Sequence, residues 1–440
     1  MEHSSRRGWI VTLAGVGLNL ALGILYAWSI FSKQLTEPLE KGGFGWTRLQ
    51  ATLPYTIAIA CFAVMMIPAG RLQDKLGPRL VATVGAALTG AGLFVASLAS
   101  PESTWPAMVG FGALAGTGFG LGYAAATPAA VKWFPPAKKG LITGLVVAGF
   151  GIAPVYISPL AKWLLATRGI SGSFQFLALA FSVAMLGLAQ LIQDPPRGGP
   201  RKAAAGSAAD ADWRTMIRTP TFWSLYLQYA CAATAGLMII GHLAKIIAVQ
   251  SGGTVKAVIF LQLLAVFNAG GRVAAGIVSD RVGRVITAAF VFILQAFNMA
   301  FFSSYTGEAG FVIGAALVGF NYGACLSLFP SSAADLWGTK NLGLNYGILF
   351  TAWGVGGVFG PLLAGWIADT QGAYTMAYQI AAVLLMAATL LALLSYVAIS
   401  VDLAAREVTI KFAPGRGQAP GTSPAGPAPV EAPLADQPAA

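Results

Sequence analysis

Charge is scarce in this chain. Only 10% of its 440 residues are Asp, Glu, Lys or Arg, against about 25% in soluble globular proteins. So few charges cannot cover a water-facing surface, which excludes cytosolic enzymes, secreted scaffolds and nucleic-acid binders. Cysteine is scarcer still. Cys61, Cys231 and Cys325 each lie inside an apolar run, and an odd number of such thiols makes neither a disulfide framework nor a metal cluster. His3 and His242 are the only histidines. Intramembrane Ser and Thr lack a paired base and acid, so no catalytic triad, metal site or cofactor is expected. What the chain has is apolar length. Hydrophobic residues make up 56% and the mean hydropathy is +0.71, enough for about twelve spans of ~20 residues.

The spans read as 9–32, 49–70, 80–99, 106–131, 140–166, 173–192, 221–248, 257–276, 285–304, 309–334, 344–367 and 375–399. Lipid offers backbone groups no water, so each must be helical. Runs this continuously apolar do not fit β-barrel strands. The predicted fold is an all-α membrane protein of twelve transmembrane helices. Residues 1–8, with Arg6 and Arg7, form a short N-terminus, and the run after it reads as a retained first span rather than a signal peptide. Residues 9–192 and 221–401 form two six-helix bundles joined by a polar linker, 193–220. Residues 402–440 hold 7 of the 24 prolines and read as a disordered tail. Nineteen of the 27 Lys and Arg fall on the side of the termini and linker, seven on the other, and Arg272 lies within a span. This bias places both termini in the cytoplasm.

The halves repeat. Gly70, Asp74 and Gly77, followed by Arg79, come after span 2, and Gly276, Asp280 and Gly283, followed by Arg284, come after span 8; the first three match at one offset of 206 residues. Six spans per copy make this a parallel repeat about an axis along the membrane normal. Each loop is either a topogenic basic turn with a cap or a latch that holds the bundles together in one state.

Arg272 is the other anomaly. It sits eight residues before Asp280, or ~12 Å at helical rise, near mid-membrane. An Arg at a helix centre costs ~2.5–3.5 kcal/mol on insertion scales. All 16 acids can be placed outside the hydrocarbon, so its anion must come from elsewhere, and a substrate carboxylate fits a guanidinium. Asn268, one turn earlier on the same face, can bond a hydroxyl, a keto oxygen or the second carboxylate oxygen. The alternative is an Arg that satisfies backbone carbonyls. His242 and Lys245, late in span 7, read as gate or proton relay, against a plain hydrogen-bonded His. Gly116, Gly118, Gly120 and Gly122 follow no strand, so they read as close helix packing and not a nucleotide loop. The same holds for Gly149, Gly151, Gly354, Gly356 and Gly357.

The repeated Gly-x-x-x-Asp-x-x-Gly loop, the 6+6 layout and the linker resemble the major facilitator superfamily. Within it, four segments resemble the bacterial oxalate/formate exchangers and the monocarboxylate transporters: Tyr26-Ala-Trp28, Trp133 to Gly144, Arg218 to Trp223, and Asn268 to Arg272. The resemblance implies that Arg272 binds substrate. It also implies that Tyr26 and Tyr123 occupy aromatic positions lining the exchanger's cavity, and that Tyr322, with Asn321 beside it, stands where the exchanger has a cavity Trp. Taken one at a time, each Tyr better suits an ordinary interfacial or packing role. Trp353 stands where the exchanger carries a second cation; one cation suits a monoanion such as lactate or pyruvate. Asn268 replaces an Asp found in many monocarboxylate transporters, which puts that form of proton coupling in doubt. The expectation is a monomeric proton-coupled symporter of short monocarboxylates in the inner (plasma) membrane, working by alternating access. The rivals are an oxalate/formate-type anion exchanger and a non-transporting carboxylate sensor.

Overall fold

The computed structural model describes residues 2–196 and 210–412. The described chain is almost entirely helical. The first span, α1, runs Glu2–Leu22, tightens into a 3₁₀ stretch over Gly23–Ala27, and resumes as Trp28–Thr36. It is followed by α2 (Arg48–Leu76), α3 (Pro78–Ala96) and α4 (Trp105–Val131), the last with a π-helical segment, Met108–Ala115. Lys139–Leu191 is one hydrogen-bonded run of 53 residues, broken at Gly169 (φ 66°, ψ −171°). Only glycine adopts that backbone cheaply, so the chain reverses there into α5 (139–168) and α6 (170–191). The second half holds α7 (Pro220–Gln250), α8 (Val258–Val282), α9 (Arg284–Phe301), α10 (Glu308–Trp337), α11 (Leu342–Gln371) and α12 (Thr375–Phe412). Eleven helical stretches among the described residues are long and apolar enough to cross a membrane, and the break at Gly169 makes twelve crossings. Large apolar side chains such as Leu179, Phe290, Phe297 and Leu362 are exposed. That is unfavourable in water and ordinary against lipid.

Helix ends carry expected devices. Thr47 and Gln50 form a capping box at the start of α2, and Thr219 caps α7 ahead of Pro220. The repeat is visible in the backbone. Gly77 (φ 92°, ψ 157°) ends α2 and Gly283 (φ 101°, ψ 152°) ends α8, each N–H bonding the carbonyl four residues back at 3.1 Å. The face of the molecule carrying these two turns is called the loop face below.

The halves meet along two helix pairs, α2 with α11 and α5 with α8. Glycine sets how close they come. A Cβ on Gly70 would sit 2.1 Å from the Gly343 carbonyl oxygen, and one on Gly144 would sit 2.3 Å from that of Arg272. Backbone therefore touches backbone across both seams, the close approach that small residues permit between membrane helices.

Several helices run past the expected spans, α2 to Leu76 and α8 to Val282 among them, and two terminal boundaries move. Helix α1 begins at Glu2 instead of residue 9, and the last helix continues through 402 to Phe412. Within the described residues, 397–412 form a separate unit, which is helical. The tail beyond Phe412 and linker positions 197–209 lie outside the described residues. The described end of the linker forms a short helix, Trp213–Ile217, capped by the Asp212 carboxylate, which accepts from the Thr215 amide at 2.8 Å.

Candidate substrate site

Arg272 lies near the middle of α8 and is fully buried. Its surroundings come from both halves. Asn268, one helical turn away, accepts from Nε at 2.8 Å. Nη1 donates to the Val147 carbonyl of α5. Nη2 is buried without a hydrogen-bond partner. No acid forms an ion pair with Arg272 among the described residues. The guanidinium thus keeps one donor nitrogen unbonded in a low-dielectric surrounding. Gly151 makes this pose possible, because a Cβ there would lie 2.9 Å from Asn268 Oδ1 and 3.0 Å from Arg272 Nε.

A cavity opens beside the guanidinium. Tyr26, Tyr123, Tyr322 and Trp353 line it, together with Phe62, Phe150, Leu326 and Phe350. Its volume is about 10 Å³, room for a single water. The walls are aromatic and interlocked. Trp353 donates from Nε1 to the Tyr322 hydroxyl at 2.6 Å. Phe350 packs against Trp353 (centroids 4.9 Å apart), Tyr123 (5.3 Å) and Phe62 (5.5 Å). Tyr26 sits in the 3₁₀ break of α1, where the phenol is only partly buried. Tight helical irregularities of this kind concentrate at functional sites.

Asn321 departs from the reading that placed it with Tyr322. It is on the neighbouring face of α10, donating to Gln295 Oε1 (3.0 Å) and the Leu317 carbonyl (2.9 Å), and lines a different cavity. Consecutive residues of an α-helix point ~100° apart, so both cannot face the guanidinium. Asn268 holds Arg272 through its side-chain oxygen instead of standing free toward substrate.

His242 and Lys245 are not at this cavity. The two ring nitrogens of His242 contact the Pro361 carbonyl (3.0 Å) and the Tyr374 hydroxyl (3.2 Å). The carbonyl fixes Nε2 as N–H, leaving Nδ1 to accept from the phenol. Lys245 is exposed. This arrangement pins α7 to α11 and to Tyr374, at the start of the last helix. We expect His242→Gln to change uptake by less than about threefold and to leave its pH profile in place, since an amide can make both bonds; a lost pH response would restore the relay.

The loop face is held by the repeated acids, each reaching across to the other half. Asp280 accepts from the Gly140 and Leu141 amides at the start of α5 (2.8 and 2.9 Å). Asp74 accepts from the Gly343 and Leu344 amides at the start of α11 (3.2 and 2.9 Å). A carboxylate there satisfies free helix N–H groups and meets the positive end of the dipole. The cations are not symmetric. Arg284 pairs with Asp280 (2.6 Å) and Asp335 (2.8 Å), and Lys139 joins Asp335 at 2.9 Å. Arg79 is not in the first clamp; it contacts Gln193 at 3.5 Å. At the 206-residue offset the counterpart of Arg284 is Pro78, so Arg79 is one residue out of register. Asp335 and Lys139 were missed because they belong to other spans.

Other residues escaped notice because they read as ordinary apolar or aromatic helix. Besides Phe62, Phe150 and Phe350, these are Gln295 and the buried phenols Tyr229 and Tyr346, which lie close to each other and to Tyr123.

Comparison with known proteins agrees with this architecture. The Major Facilitator Superfamily model matches residues 8–340 and 285–416, and the chain belongs to that family of membrane transporters. It is 28% identical over 381 residues to the oxalate:formate antiporter of Oxalobacter formigenes, covering 86% of this chain and 88% of that protein. It is 26% identical over 390 residues to monocarboxylate transporter 13 of Rattus norvegicus, covering 86% and 87%. Among solved structures, the E. coli fucose:proton symporter FucP superposes with a TM-score of 0.67 at 17% identity, over 87% of this chain and 97% of that one. The human organic anion transporter MFSD10 gives 0.64 at 14% identity, over 88% and 99%. These two likenesses establish the fold. The chain is thus a multi-pass membrane transporter and not an enzyme.

Proposed function

We propose that this protein is a secondary active transporter of short monocarboxylates of the lactate and pyruvate type, coupled to protons, with Arg272 binding the carboxylate. The observation that carries the reading is the free Nη2 of Arg272, buried beside a cavity and paired with no acid. A carboxylate supplies the missing charge and acceptor together. One cation suits a monoanion, and Trp353, whose N–H is held by the Tyr322 hydroxyl, adds no second charge. The organic-anion relatives support the class.

In this reading the loop face is cytoplasmic, the membrane is the inner (plasma) membrane, both termini are cytoplasmic, and one chain is the functional unit. The six-helix halves rock about the Arg272 site. Asp74 and Asp280 close the inner side and part when it opens. Proton coupling has an electrical purpose. A bare anion is driven out of the cell at ~2.3 kcal/mol per 100 mV, and one co-transported proton removes that term.

Anion exchange of the oxalate/formate kind is the second reading. It is favoured by Asn268 standing beside Arg272 and by the pinned His242, which leave the cavity without an acid or His among the described residues. Uptake of labelled lactate into proteoliposomes separates the two. Symport gives accumulation under an inward proton gradient with empty vesicles. Exchange gives uptake only when anion is loaded inside, with no response to the gradient.

A further inference from the structure

A second cavity, also about 10 Å³, lies within the second half of the molecule. Its wall includes Gln295 of α9, with Asn321, Tyr322 and Cys325 of α10. Tyr322 also lines the Arg272 cavity, so one phenol ring separates the two spaces. The ring rests on Gly236, where a Cβ would lie 2.6 Å from Tyr322 Cδ2.

The amides behind the ring are incompletely bonded. Gln295 and Asn321 are 3% and 1% exposed. Gln295 Oε1 accepts from Asn321 Nδ2 at 3.0 Å and from Asn298 Nδ2 at 3.4 Å. Asn321 Nδ2 also donates to the Leu317 carbonyl. These bonds fix both amide orientations: swapping Asn321 would set its oxygen against the Leu317 carbonyl, and swapping Gln295 would set nitrogen against nitrogen. They leave Gln295 Nε2 as a buried donor and Asn321 Oδ1 as a buried acceptor, each without a partner. Buried polar groups in native proteins are nearly always satisfied. An unpartnered donor and an unpartnered acceptor on two residues lining one cavity are complementary to a hydroxyl, which takes one hydrogen bond and gives one. A keto oxygen can only accept.

We infer that Gln295 and Asn321 form a hydroxyl-recognition subsite behind Tyr322, and that the transporter prefers short hydroxy acids over keto and unsubstituted acids. This rests on the Arg272 reading. The carboxylate pairs with Arg272, the Tyr322 ring turns aside, and the joined cavities receive the hydroxyl. An ordered water is the rival occupant, since the space fits one.

The test uses the full chain in proteoliposomes, with labelled lactate competed by lactate, propionate, 3-hydroxybutyrate and butyrate, and labelled formate uptake run in parallel. The wild type is expected to favour at least one hydroxy acid over its unsubstituted partner by about tenfold or more, as sites built to bond a hydroxyl do. In the Gln295→Met/Asn321→Leu double variant that ratio falls to about twofold or less, with propionate and formate uptake retained. Gln295→Met alone serves if the double variant does not insert, with the same expected loss of preference. A wild type without preference, or a variant that keeps it, overturns the subsite. A variant that loses all acids in equal proportion also overturns it, and points to a structural water. Formate has no substituent, so it isolates the parent reading. Formate uptake that survives Arg272→Ala removes the carboxylate site itself. Formate uptake that needs Arg272, without hydroxyl preference, removes only the subsite.

Discussion

Arg272→Ala is expected to lower carboxylate uptake by about a hundredfold or more, with the protein still inserted and monodisperse. The size follows from what the guanidinium supplies: charge-assisted hydrogen bonds at ~1.5–3 kcal/mol each, two of them where a carboxylate is held side by side. The loss is specific to anions because no other cation lines the cavity among the described residues. Stability should move the other way or little, since the variant removes a buried charge held by neutral groups, the Asn268 oxygen, the Val147 carbonyl and the Phe150 ring, and by no acid among the described residues. Arg272→Lys is expected to recover part of the binding but not the rate. An ammonium on a shorter, unforked side chain cannot hold Asn268, Val147 and substrate in one plane. Substrate-dependent thermal shift, read beside uptake, separates lost binding from lost folding.

The second large effect is mechanical. Gly144→Val places a branched side chain where even a Cβ would be 2.3 Å from the Arg272 carbonyl. That atom is α8 backbone and cannot yield as a flexible side chain can. Overpacking of this kind costs ~1–3 kcal/mol, enough to shift a two-state equilibrium by about 5- to 150-fold. The closed loop face is the state that pays, because α5 and α8 touch there. We expect at least a tenfold fall in uptake and faster hydrogen exchange of the Gly140 and Leu141 amides, whose bonds to Asp280 close the clamp. Wild-type protection of those two amides would show that the seam does not govern closure. Gly187, whose Cβ would meet nothing within 4 Å, is the control position.

Much of this architecture was legible before any coordinates. Helix number follows from apolar length, because lipid permits no other way to satisfy the backbone. The pairing of halves was visible in Gly70, Asp74 and Gly77 recurring at one offset, and Arg272 stood out by depth alone. What stayed hidden depended on distance across the fold. The 3₁₀ break that places Tyr26 has no local signature in Gly23–Ala27 beyond its glycine. It reflects contact with α5, where a Cβ on Gly23 would lie 2.0 Å from Ala153 Cβ. Gln295 looked like one polar residue in an apolar helix until α10 brought Asn321 against it. Arg79 and Arg284 look equivalent in a basic loop, yet a one-residue slip sends Arg79 to Gln193. Asn321 and Tyr322 were grouped because they are adjacent, and adjacency on a helix is what separates them.

The most direct test is a structure of the full chain with a short carboxylate bound, lactate or formate. The account predicts a carboxylate oxygen about 2.7–2.9 Å from Arg272 Nη2, the usual span of a charge-assisted bond, with Asn268 still on Nε and the aromatic walls displaced outward. An anion bound elsewhere, with Nη2 still unpartnered, would contradict it.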